Sequence, residues 1–328
     1  MDGFPHMALP ETPSVGLFGL PRQRTLKRMI GCVGVGLHCG QRVRMTLHPA
    51  PAGSGIVFRR TDLAPAIDIP ARFDRVVETR LCTGLAAPER PEATVGTIEH
   101  LMAALSGCGI DNALVELDGP EVPILDGSAA PFVFLLDCAG SVEQEAVRPA
   151  IEIVSPIRLE ERGAYAELRP SPYPGLAMAM SIAFDAPAIG RQALSLRLTE
   201  EAFRHDLARA RTFALLPEVA QLQASGRAKG GSLDNAIVVD RARVLNPGGL
   251  RMPDEFVRHK LLDAVGDLAL AGFAIHGRLV AHRSGHTLNN RLLRALFADP
   301  GAWREESGTP AWIVAPERER ARPLAAVA

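Results

Sequence analysis

Cysteine is scarce in this chain of 328 residues, and its spacing follows no pattern that would organise a fold. The five cysteines are odd in number and contain no CxxC pair; they are Cys32, Cys39, Cys82, Cys108 and Cys138. These features exclude a disulfide framework and a zinc site built from cysteine pairs. We therefore expect a protein of a reducing compartment, the cytoplasm.

Long apolar runs and an excess of charge of one sign are also missing. No stretch approaches the length of a membrane span, and the N-terminal residues lack the basic start and apolar centre of a signal peptide. The formal net charge is -1, which offers no general attraction to nucleic acid or to an anionic membrane. We therefore expect no nucleic-acid partner and no stable membrane insertion.

A pattern of strands and helices is present, and it occurs twice. Residues 1–21 are expected to form a flexible tail, residues 22–147 a first domain and residues 148–328 a second, with the polar stretch 143–150 at the boundary. Each half runs through several strands and then ends with a helix, a strand and a helix. This order predicts a duplicated α+β unit.

Local signals predict where several helices begin. Pro253 and its acidic neighbours favour the first turn of a long helix over residues 253–271. A further helix is expected over residues 199–211, where acidic residues again occupy the first turn. The Asp-Gly-Ser sequence at 126–128 is interpreted as a structural turn, and its Ser128 as the N-cap of another helix.

The clearest chemical signal is the sequence RHKLLDAVGD within the long helix. His259, Asp263 and Asp267 follow one another at intervals of four residues and therefore share one helix face. Imidazole nitrogen and carboxylate oxygen both bind zinc, and an i, i+4 pair lets one helix supply two ligands. The alternative is a partly solvated polar stripe, and this helix alone does not decide between the two.

Glu99 and His100 lie side by side at the start of an otherwise apolar helix, TIEHLMAALSG. His100 is a candidate third metal ligand, and Glu99 is a candidate base that removes a proton from an attacking water. A solvated helix start would explain the pair equally well. The HExxH signature of metalloproteases is absent from this segment.

Two loop segments add further candidates. His286 lies in a Ser-Gly turn before a helix, where a carboxylate such as Asp267 would orient it and keep it protonated. In isolation such a histidine is also typical of plain surface. Downstream of Arg211-Thr212-Phe213, the apolar residues at 215, 219 and 222 are spaced as on one helical face, and a core segment followed by a flexible loop is the alternative.

Taken together, these segments resemble the UDP-3-O-acyl-N-acetylglucosamine deacetylases of bacterial lipid A synthesis, from about residue 22 to the C-terminus. The motifs occur in the family's order: RQRTLKR, GVGLH, TIEHLMAALSGCGIDNALVELDGPEVPILDGSAAPF, RARTF, GGSLDNAIVVD, EFVRHKLLDAVGD and SGHTLNN. The resemblance implies two similar domains, each a two-layer sandwich of a sheet on helices, with the active site at their interface. It also implies a zinc-dependent amide hydrolase that releases acetate and the free amine in the committed step of lipid A synthesis.

The resemblance further implies roles for individual residues. The implied zinc ligands are His100, His259 and Asp263, and the implied general base is Glu99. The other implied catalytic residues are a protonated His286 backed by Asp267, and Thr212 at the developing oxyanion. The implied substrate-binding residues are Lys260, Phe213, Leu215, Val219 and Gly231, most of them in an acyl-passage insert over about residues 213–240.

Some positions stay open within the resemblance. Cys82 matches a cysteine near the metal that is not an obligatory ligand, and His38 matches a histidine near the site without an assigned role. Ala186 stands where the family commonly has histidine, which puts one nucleotide or sugar contact in doubt. Residues 1–20 have no counterpart in the pattern, and no fused C-terminal dehydratase domain, as occurs in some relatives, is expected.

The alternatives concern the metal, the substrate and activity itself. One zinc ion per chain is expected, with Fe²⁺ as the alternative, because two histidines and an aspartate suit both. A zinc amidohydrolase acting on a different acylated amino sugar is a second reading, and a zinc-binding module without activity is a third. The expected partner is a small UDP-sugar with an acyl chain, and the expected state is a monomer.

Overall fold

Twenty strands and six helices lie within residues 21–305, the part of the chain that the computed structural model describes. The strands of the first half are β1 (Arg22–Leu26), β2 (Ile30–Val35), β3 (Arg42–Pro49), β4 (Ile56–Arg60), β5 (Ile67–Pro70), β6 (Val76–Glu78), β7 (Gly84–Ala86), β8 (Thr94–Val95), β9 (Ala113–Leu117) and β10 (Ser141–Val147). Its helices are α1 (Glu99–Gly107) and α2 (Ala130–Ala139).

The second half follows with ten strands and four helices of its own. The strands are β11 (Ala150–Ile153), β12 (Ile157–Glu161), β13 (Ala164–Arg169), β14 (Leu176–Ala183), β15 (Arg191–Arg197), β16 (Phe213–Leu215), β17 (Ile237–Asp240), β18 (Arg243–Val244), β19 (Ala274–His282) and β20 (Trp303–Glu305). The helices are α3 (Glu200–Ala202), α4 (Leu216–Ala224), α5 (Glu255–Ala269) and α6 (His286–Ala298).

The two halves contain the same five-stranded pattern. In the first half the strand order is β2-β3-β9-β4-β5, antiparallel except for the parallel pair β9 and β4. In the second half β12-β13-β19-β14-β15 repeats this order, again with one parallel pair, β19 and β14. The prediction of a duplicated α+β fold is confirmed. Strands β11 and β20 extend the second sheet along β19.

Helices α1 and α5 occupy equivalent places in the two repeats, each between the fifth strand of the sheet order and the central strand. Both helices are almost entirely buried, and they pack against each other. Their apolar residues, such as Leu101 and Leu262, belong to one core that joins both sheets. A helix buried on most of its surface can carry polar side chains only where partners satisfy them, which draws attention to the polar residues of these two helices.

Each repeat carries an insertion at the same point, just before its buried helix. In the first repeat the insertion is the small sheet β6-β7-β8. In the second it is a β-α-β unit, in which β16 and β17 pair in parallel and α4 connects them, with β18 added at the edge. Because the repeats are equivalent, the two insertions emerge beside the same ends of α1 and α5.

The structure corrects several predicted helix ends. The long helix starts at Glu255 and ends at Ala269, so the boundaries 253–271 were wrong by two residues at each end, and Pro253 precedes the helix. The predicted helix over 199–211 is only the short α3 followed by a five-residue π-helical turn, Phe203–Leu207. Gly107 packs against the ring of Phe203, the first residue of this turn.

Other local predictions also need correction. His286 is the first residue of α6 and does not precede it in a loop, since Gly285 is the cap. The N-cap of α2 is Ala129, and Ser128 lies one residue earlier, where its hydroxyl accepts a hydrogen bond from Ala130 N at 3.2 Å. Most of the polar stretch 143–150 belongs to β10, which pairs with β1.

Parts of the domain prediction fall outside these findings. The predicted tail, residues 1–21, lies outside the described residues except for Pro21, and so do residues 306–328 of the predicted second domain. The domain boundary at 147/148 stays a prediction; β10 ends at Val147 and β11 begins at Ala150. Within residues 21–305, no helix is long and apolar enough to cross a membrane.

Candidate metal centre and adjoining cavity

Helices α1 and α5 approach each other closely at a glycine. A Cβ atom added to Gly266 would lie 2.0 Å from the carbonyl oxygen of Glu99, so only glycine permits this approach. Gly266 lies between Asp263 and Asp267 on α5, and Glu99 is the first residue of α1. The backbone contact therefore brings Glu99 and His100 next to the polar face of α5.

His100, His259 and Asp263 form a buried cluster with the dimensions of a metal site. The Nε2 atoms of His100 and His259 lie 3.6 Å and 3.3 Å from Asp263 Oδ1. One ligand atom from each residue lies within 4.8 Å of the other two. Tetrahedral coordination with bonds of about 2.0–2.1 Å places neighbouring ligand atoms about 3.4 Å apart, so the observed separations suit one ion.

An orphaned oxygen supports the same assignment. Asp263 Oδ1 is buried and has no hydrogen-bond partner among the residues described. Buried carboxylate oxygens are normally paired, and leaving one unpaired costs free energy. Because it faces the two imidazole nitrogens, a cation between the three residues would satisfy it. Two imidazoles and one carboxylate are a donor set that suits zinc or ferrous iron.

Neighbouring groups orient the candidate ligands. His259 Nδ1 donates to the carbonyl oxygen of Ala210 at 3.1 Å, which leaves Nε2 free to bind a cation. Burial lowers the pKa of His259 to about 3, so its imidazole is neutral at physiological pH. Lys260 Nζ donates to the other oxygen of Asp263 at 2.8 Å. Although burial opposes ionisation, the adjacent Lys260 cation keeps the pKa of Asp263 well below its usual value.

Glu99 lies beside the cluster with one oxygen fixed. Its Oε2 accepts a hydrogen bond from the backbone N–H of Thr83 at 2.9 Å, and its Oε1 lies 3.9 Å from Nε2 of His286. Burial raises the pKa of Glu99 above the ordinary value for glutamate. A carboxylate with a raised pKa that is still able to ionise is suited to accept a proton.

His286 is held as a cation by Asp267. Its Nδ1 donates to Asp267 Oδ2 at 2.9 Å, and Asp267 also accepts hydrogen bonds from Thr83 Oγ1 at 2.6 Å and Asn289 Nδ2 at 2.8 Å. Burial alone would lower the pKa of His286, but the Asp267 carboxylate outweighs it and raises that pKa to about 10. A protonated imidazole therefore faces Glu99 at physiological pH.

A cavity of about 870 Å³ adjoins these groups and runs beneath α4. Its lining includes six of the predicted site residues, namely Thr212, Phe213, Val219, Gly231, Lys260 and His286. Leu216, Leu222, Leu233, Val238 and Leu245 make much of the remaining wall apolar. The volume is typical of a site for a small organic ligand.

Phe213 connects the cavity to the metal cluster. Its ring packs edge-on against His259 at 6.2 Å and against Phe256 at 4.9 Å, measured between ring centroids. Lys260 Nζ lies 5.6 Å from the centroid of the same ring. An apolar chain in the cavity would therefore end beside the candidate ligands, with Phe213 forming the wall between them.

Comparison with known proteins decides the family. A model of the UDP-3-O-acyl N-acetylglycosamine deacetylase family matches residues 23–298. The chain belongs to this family. The resemblance stated from the sequence motifs is thereby confirmed.

Individual family members are similar over nearly their whole length. The chain is 50% identical over 283 residues to the UDP-3-O-acyl-N-acetylglucosamine deacetylase of Shewanella frigidimarina, which covers 86% of this chain and 91% of that protein. A protein of the same name from Shewanella violacea is 47% identical over 304 residues, 92% of this chain and 95% of its own. The one from Idiomarina loihiensis is 49% identical over 284 residues, 86% and 92% of the two chains.

Not every predicted site residue has the predicted placement. Leu215 lies in β16 and pairs with Val239, so the expectation that it shares a helical face with Val219 and Leu222 was wrong. Its side chain packs against the core, and it is not among the residues that line the cavity. Leu216 takes its place in the cavity wall, because α4 begins one residue later than Leu215.

The residues without a settled role also have definite positions. Cys82 is buried, and burial followed by the charge of Glu99 raises the pKa of its thiol to about 12, which makes it a poor ligand in that form. His38 lines the cavity, and burial lowers its pKa. Ala186 lies in the turn after β14, close in sequence to Phe184, whose ring packs against Phe213 at 5.5 Å.

The sequence motifs contained further site residues that their spacing did not reveal. Thr83 bridges Glu99 and Asp267, and Asn289 holds Asp267 from α6. Asn289 lies inside the motif SGHTLNN, and Thr83 directly follows Cys82, but a threonine or asparagine alone carries no signal for such a role. Three arginines around the cavity were missed for the same reason: Arg80, Arg162 and Arg283.

Proposed function

We propose that this chain is a zinc-dependent deacetylase that removes the N-acetyl group of UDP-3-O-(hydroxyacyl)-N-acetylglucosamine, the committed step of lipid A synthesis. The observation that carries the proposal is the buried cluster of His100, His259 and Asp263, with Glu99 and a cationic His286 beside it at the end of an apolar cavity. Family membership points to the same reaction.

The residues around the cluster have different tasks: one removes a proton from water, and two stabilise negative charge. Glu99 removes a proton from the water that attacks the acetamide carbonyl, because its raised pKa suits proton uptake. Thr212 and the His286 cation stabilise the negative charge that develops on the carbonyl oxygen. The C–N bond then breaks, a proton passes to the leaving nitrogen, and acetate and the free amine result.

The metal would be held by His100, His259 and Asp263. When bound, zinc lowers the pKa of a water molecule to about 7 and polarises a carbonyl oxygen. Asp267 keeps His286 in its charged form throughout, and Thr83 keeps Glu99 and Asp267 at a fixed separation. The acid and the base therefore differ in protonation state at the same pH, as the reaction requires.

The cavity supports a substrate with both an acyl chain and a polyanionic part. Leu216, Val219 and Leu222 offer an apolar surface that zinc chemistry alone does not need. Arg80, Arg162 and Arg283 line the same cavity, and within the described part of the chain no carboxylate pairs with their side chains. Unpaired guanidinium groups suit the diphosphate of a UDP-sugar.

The proposal extends to the setting of the reaction. It includes a monomer as the working state of the enzyme. The five cysteines are free thiols, which suits the reducing cytoplasm of a bacterium.

Mass spectrometry of the acylated UDP-sugar incubated with the purified, zinc-loaded protein tests the reaction directly. The expected result is loss of one acetyl group, at a rate about 10²-fold lower when Glu99→Ala protein replaces the wild type and with no loss when a chelator removes the metal. UDP-N-acetylglucosamine without the acyl chain is the matched control and should react far more slowly. Unchanged substrate with the zinc-loaded wild type would overturn the proposal.

A further inference from the structure

Thr212 is held by backbone contacts from both repeats. Its N–H donates to the carbonyl oxygen of Gly127 at 2.8 Å, and its own carbonyl oxygen accepts the N–H of Ile237 at 2.8 Å. Gly127 belongs to the Asp-Gly-Ser turn of the first repeat, which the sequence alone suggested was a simple structural turn. At this point the turn reaches across to the insertion of the second repeat.

The turn itself tolerates no other residue at its centre. Gly127 has φ of 81°, and a Cβ atom there would lie 2.0 Å from the carbonyl oxygen of Asn235. On either side, Asp126 and Ser128 contact Arg251 at 2.9 Å and 3.4 Å. The position of the Gly127 carbonyl, and through it of Thr212, is therefore fixed by contacts on both sides.

A buried ion pair fixes the residue before Thr212. The backbone N–H and Nε of Arg211 donate to Glu255 Oε1 at 3.1 Å and 2.8 Å, and its Nη2 donates to Glu255 Oε2 at 3.1 Å. Nη2 also donates to the carbonyl oxygen of Gly249 at 2.9 Å, and Glu255 accepts a further bond from Arg251 N at 2.6 Å. Glu255 is 0% exposed and Arg211 8%.

Such a pair is a poor means of stabilisation. Removing two charges from water costs about as much free energy as their attraction returns, and apolar residues of similar size often do as well. What the pair does supply is a fixed orientation of Arg211 relative to Glu255. A bidentate guanidinium and four donors to one carboxylate allow a single arrangement of these two residues. The residue placed by that arrangement is Thr212, whose side chain lines the cavity.

We propose that the Arg211–Glu255 pair and the Gly127 turn are positioning elements for the reaction, which aim the Thr212 hydroxyl at the oxyanion. This inference rests on the proposed deacetylase function. In this proposal Arg211, Glu255 and Gly127 are positioning residues, and their effect on the reaction passes through Thr212. Loosening the Arg211–Glu255 pair should therefore lower kcat in a protein that has the Thr212 hydroxyl. It should lower kcat no further in a protein that lacks this hydroxyl.

A double-mutant cycle with Arg211→Lys and Thr212→Ala tests this dependence. Arg211→Lys keeps the charge but loses the bidentate bond, and we expect kcat to fall about tenfold with KM nearly unchanged. Thr212→Ala should lower kcat about 10²-fold, the usual effect of removing an oxyanion donor. The double variant should match Thr212→Ala within about twofold. Losses that multiply in the double variant would overturn the inference.

Hydrogen exchange provides a readout that does not depend on activity. In Arg211→Lys the Thr212 amide should exchange at least tenfold faster than in the wild type, while amides of the two central sheets stay protected. Arg60→Lys is the matched control, because Arg60 is also buried and paired with a carboxylate, Asp62, outside the cavity. It should change neither kcat nor exchange at Thr212. Unchanged exchange in Arg211→Lys would overturn the inference.

A milder variant keeps the proposal testable if the Arg211→Lys protein does not fold. Arg251→Ala removes the contacts to Asp126 and Ser128 from a half-exposed side chain, and it should loosen Thr212 in the same direction as Arg211→Lys.

A wild type without turnover on the acylated UDP-sugar would contradict the proposed function itself. The exchange experiment would then decide the positioning of Thr212 separately.

Discussion

Arg162 has a backbone conformation that few side chains adopt, with φ of 50°. With Gly163 it forms the two-residue turn between β12 and β13, where Glu161 pairs with Ala164. Turns of this kind favour asparagine followed by glycine, and a left-handed conformation costs an ordinary residue about 1–2 kcal/mol. Because Arg162 also lines the cavity, we expect its charge to contribute to substrate binding.

Arg162→Asn should separate stability from substrate binding. We expect the free energy of unfolding to rise by about 0.5–1 kcal/mol, since asparagine tolerates the turn. KM for the UDP-sugar should rise about tenfold, because the diphosphate loses a cation. Urea unfolding and steady-state kinetics measure the two effects. An unchanged KM would remove Arg162 from the binding site.

The ligand and base assignments predict two different phenotypes. Glu99→Ala should keep the metal and lose about 10²-fold or more in kcat, the usual range for a general base. His259→Ala should lose both metal and turnover, because a candidate ligand is gone. Metal analysis of the purified variants, alongside kcat, distinguishes them. Full metal content in His259→Ala would contradict its role as a ligand.

Residue spacing predicts only part of such a site. His259 and Asp263 could be paired from the sequence because four residues are about one turn of a helix. Thr83 could not be paired with Asp267 in this way, since the two residues are 184 positions apart and a single hydrogen bond from the threonine hydroxyl joins them. The strained conformation of Arg162 depends on the turn it occupies, which the sequence indicates only by the glycine that follows.

At the scale of helices, the contact between α1 and α5 depends on Gly266. Alanine is normally the better helix former by about 1 kcal/mol. At this position its Cβ would lie 2.0 Å from the Glu99 carbonyl oxygen, and forced contacts in a packed core cost about 1–3 kcal/mol. The steric cost should therefore exceed the gain in helix propensity.

Gly266→Ala should lower both the melting temperature and the metal affinity, because it pushes Glu99 and His100 away from α5. Differential scanning calorimetry and metal titration measure the two effects. Gly248→Ala is the control, since a Cβ there meets no atom within 4 Å and φ is not positive. Equal behaviour of the two variants would mean that the helix contact is adaptable.

Helix α4 should set the preference for long acyl chains. Each buried methylene contributes about 0.8 kcal/mol, so substrates shortened by several carbons should lose orders of magnitude in kcat/KM. Val219→Asp should abolish most of that preference by placing a carboxylate in the cavity. Gln221→Asp, on the exposed side of the same helix, should not. A wild type that treats long and short chains alike would contradict the acyl-passage assignment.

Segments that depend on distant contacts were the ones that the sequence predicted poorly. The helix expected over 199–211 becomes a π-helical turn where Phe203 meets Gly107, a residue almost a hundred positions earlier. Leu215 was assigned to a helix because apolar spacing does not show where a strand ends. Strands such as β3, by contrast, alternate in burial, and this local pattern can be recognised in the sequence.

For the molecule as a whole, the opposite protonation states of Glu99 and His286 predict a bell-shaped dependence of kcat/KM on pH. Activity should fall at acid pH as Glu99 is protonated, above the ordinary pKa of glutamate because burial raises it. Activity should also fall near pH 10, where His286 loses its proton.

Asp267→Asn should shift the alkaline limit alone. The carboxylate is what raises the pKa of His286, so its removal should move that limit down by about one pH unit or more. The acid limit, which reports Glu99, should move much less. Rate profiles of wild type and variant measure both limits. An alkaline limit that stays in place would show that His286 is not the group responsible.

The duplicated plan of the molecule was predictable because periodic strands and helices recur in the same order in both halves. The cavity was not, because its walls come from two insertions and from turns such as the one at Arg162. Packing between segments far apart in sequence decides its shape and volume. Such packing leaves no local pattern in the sequence from which it could be predicted.

The division of the candidate metal ligands between α1 and α5 has a consequence for biosynthesis. His100 leaves the ribosome long before His259, and at about 5–20 residues per second the residues between them take roughly 10–30 s to synthesise. During that interval the nascent first repeat exposes Glu99 and His100, whose partners on α5 and α6 do not yet exist. We expect ribosome-bound chains that stop before residue 255 to retain no zinc, and full-length released chains to retain it. Metal retained by the short chains would show that the first repeat acquires its ion alone.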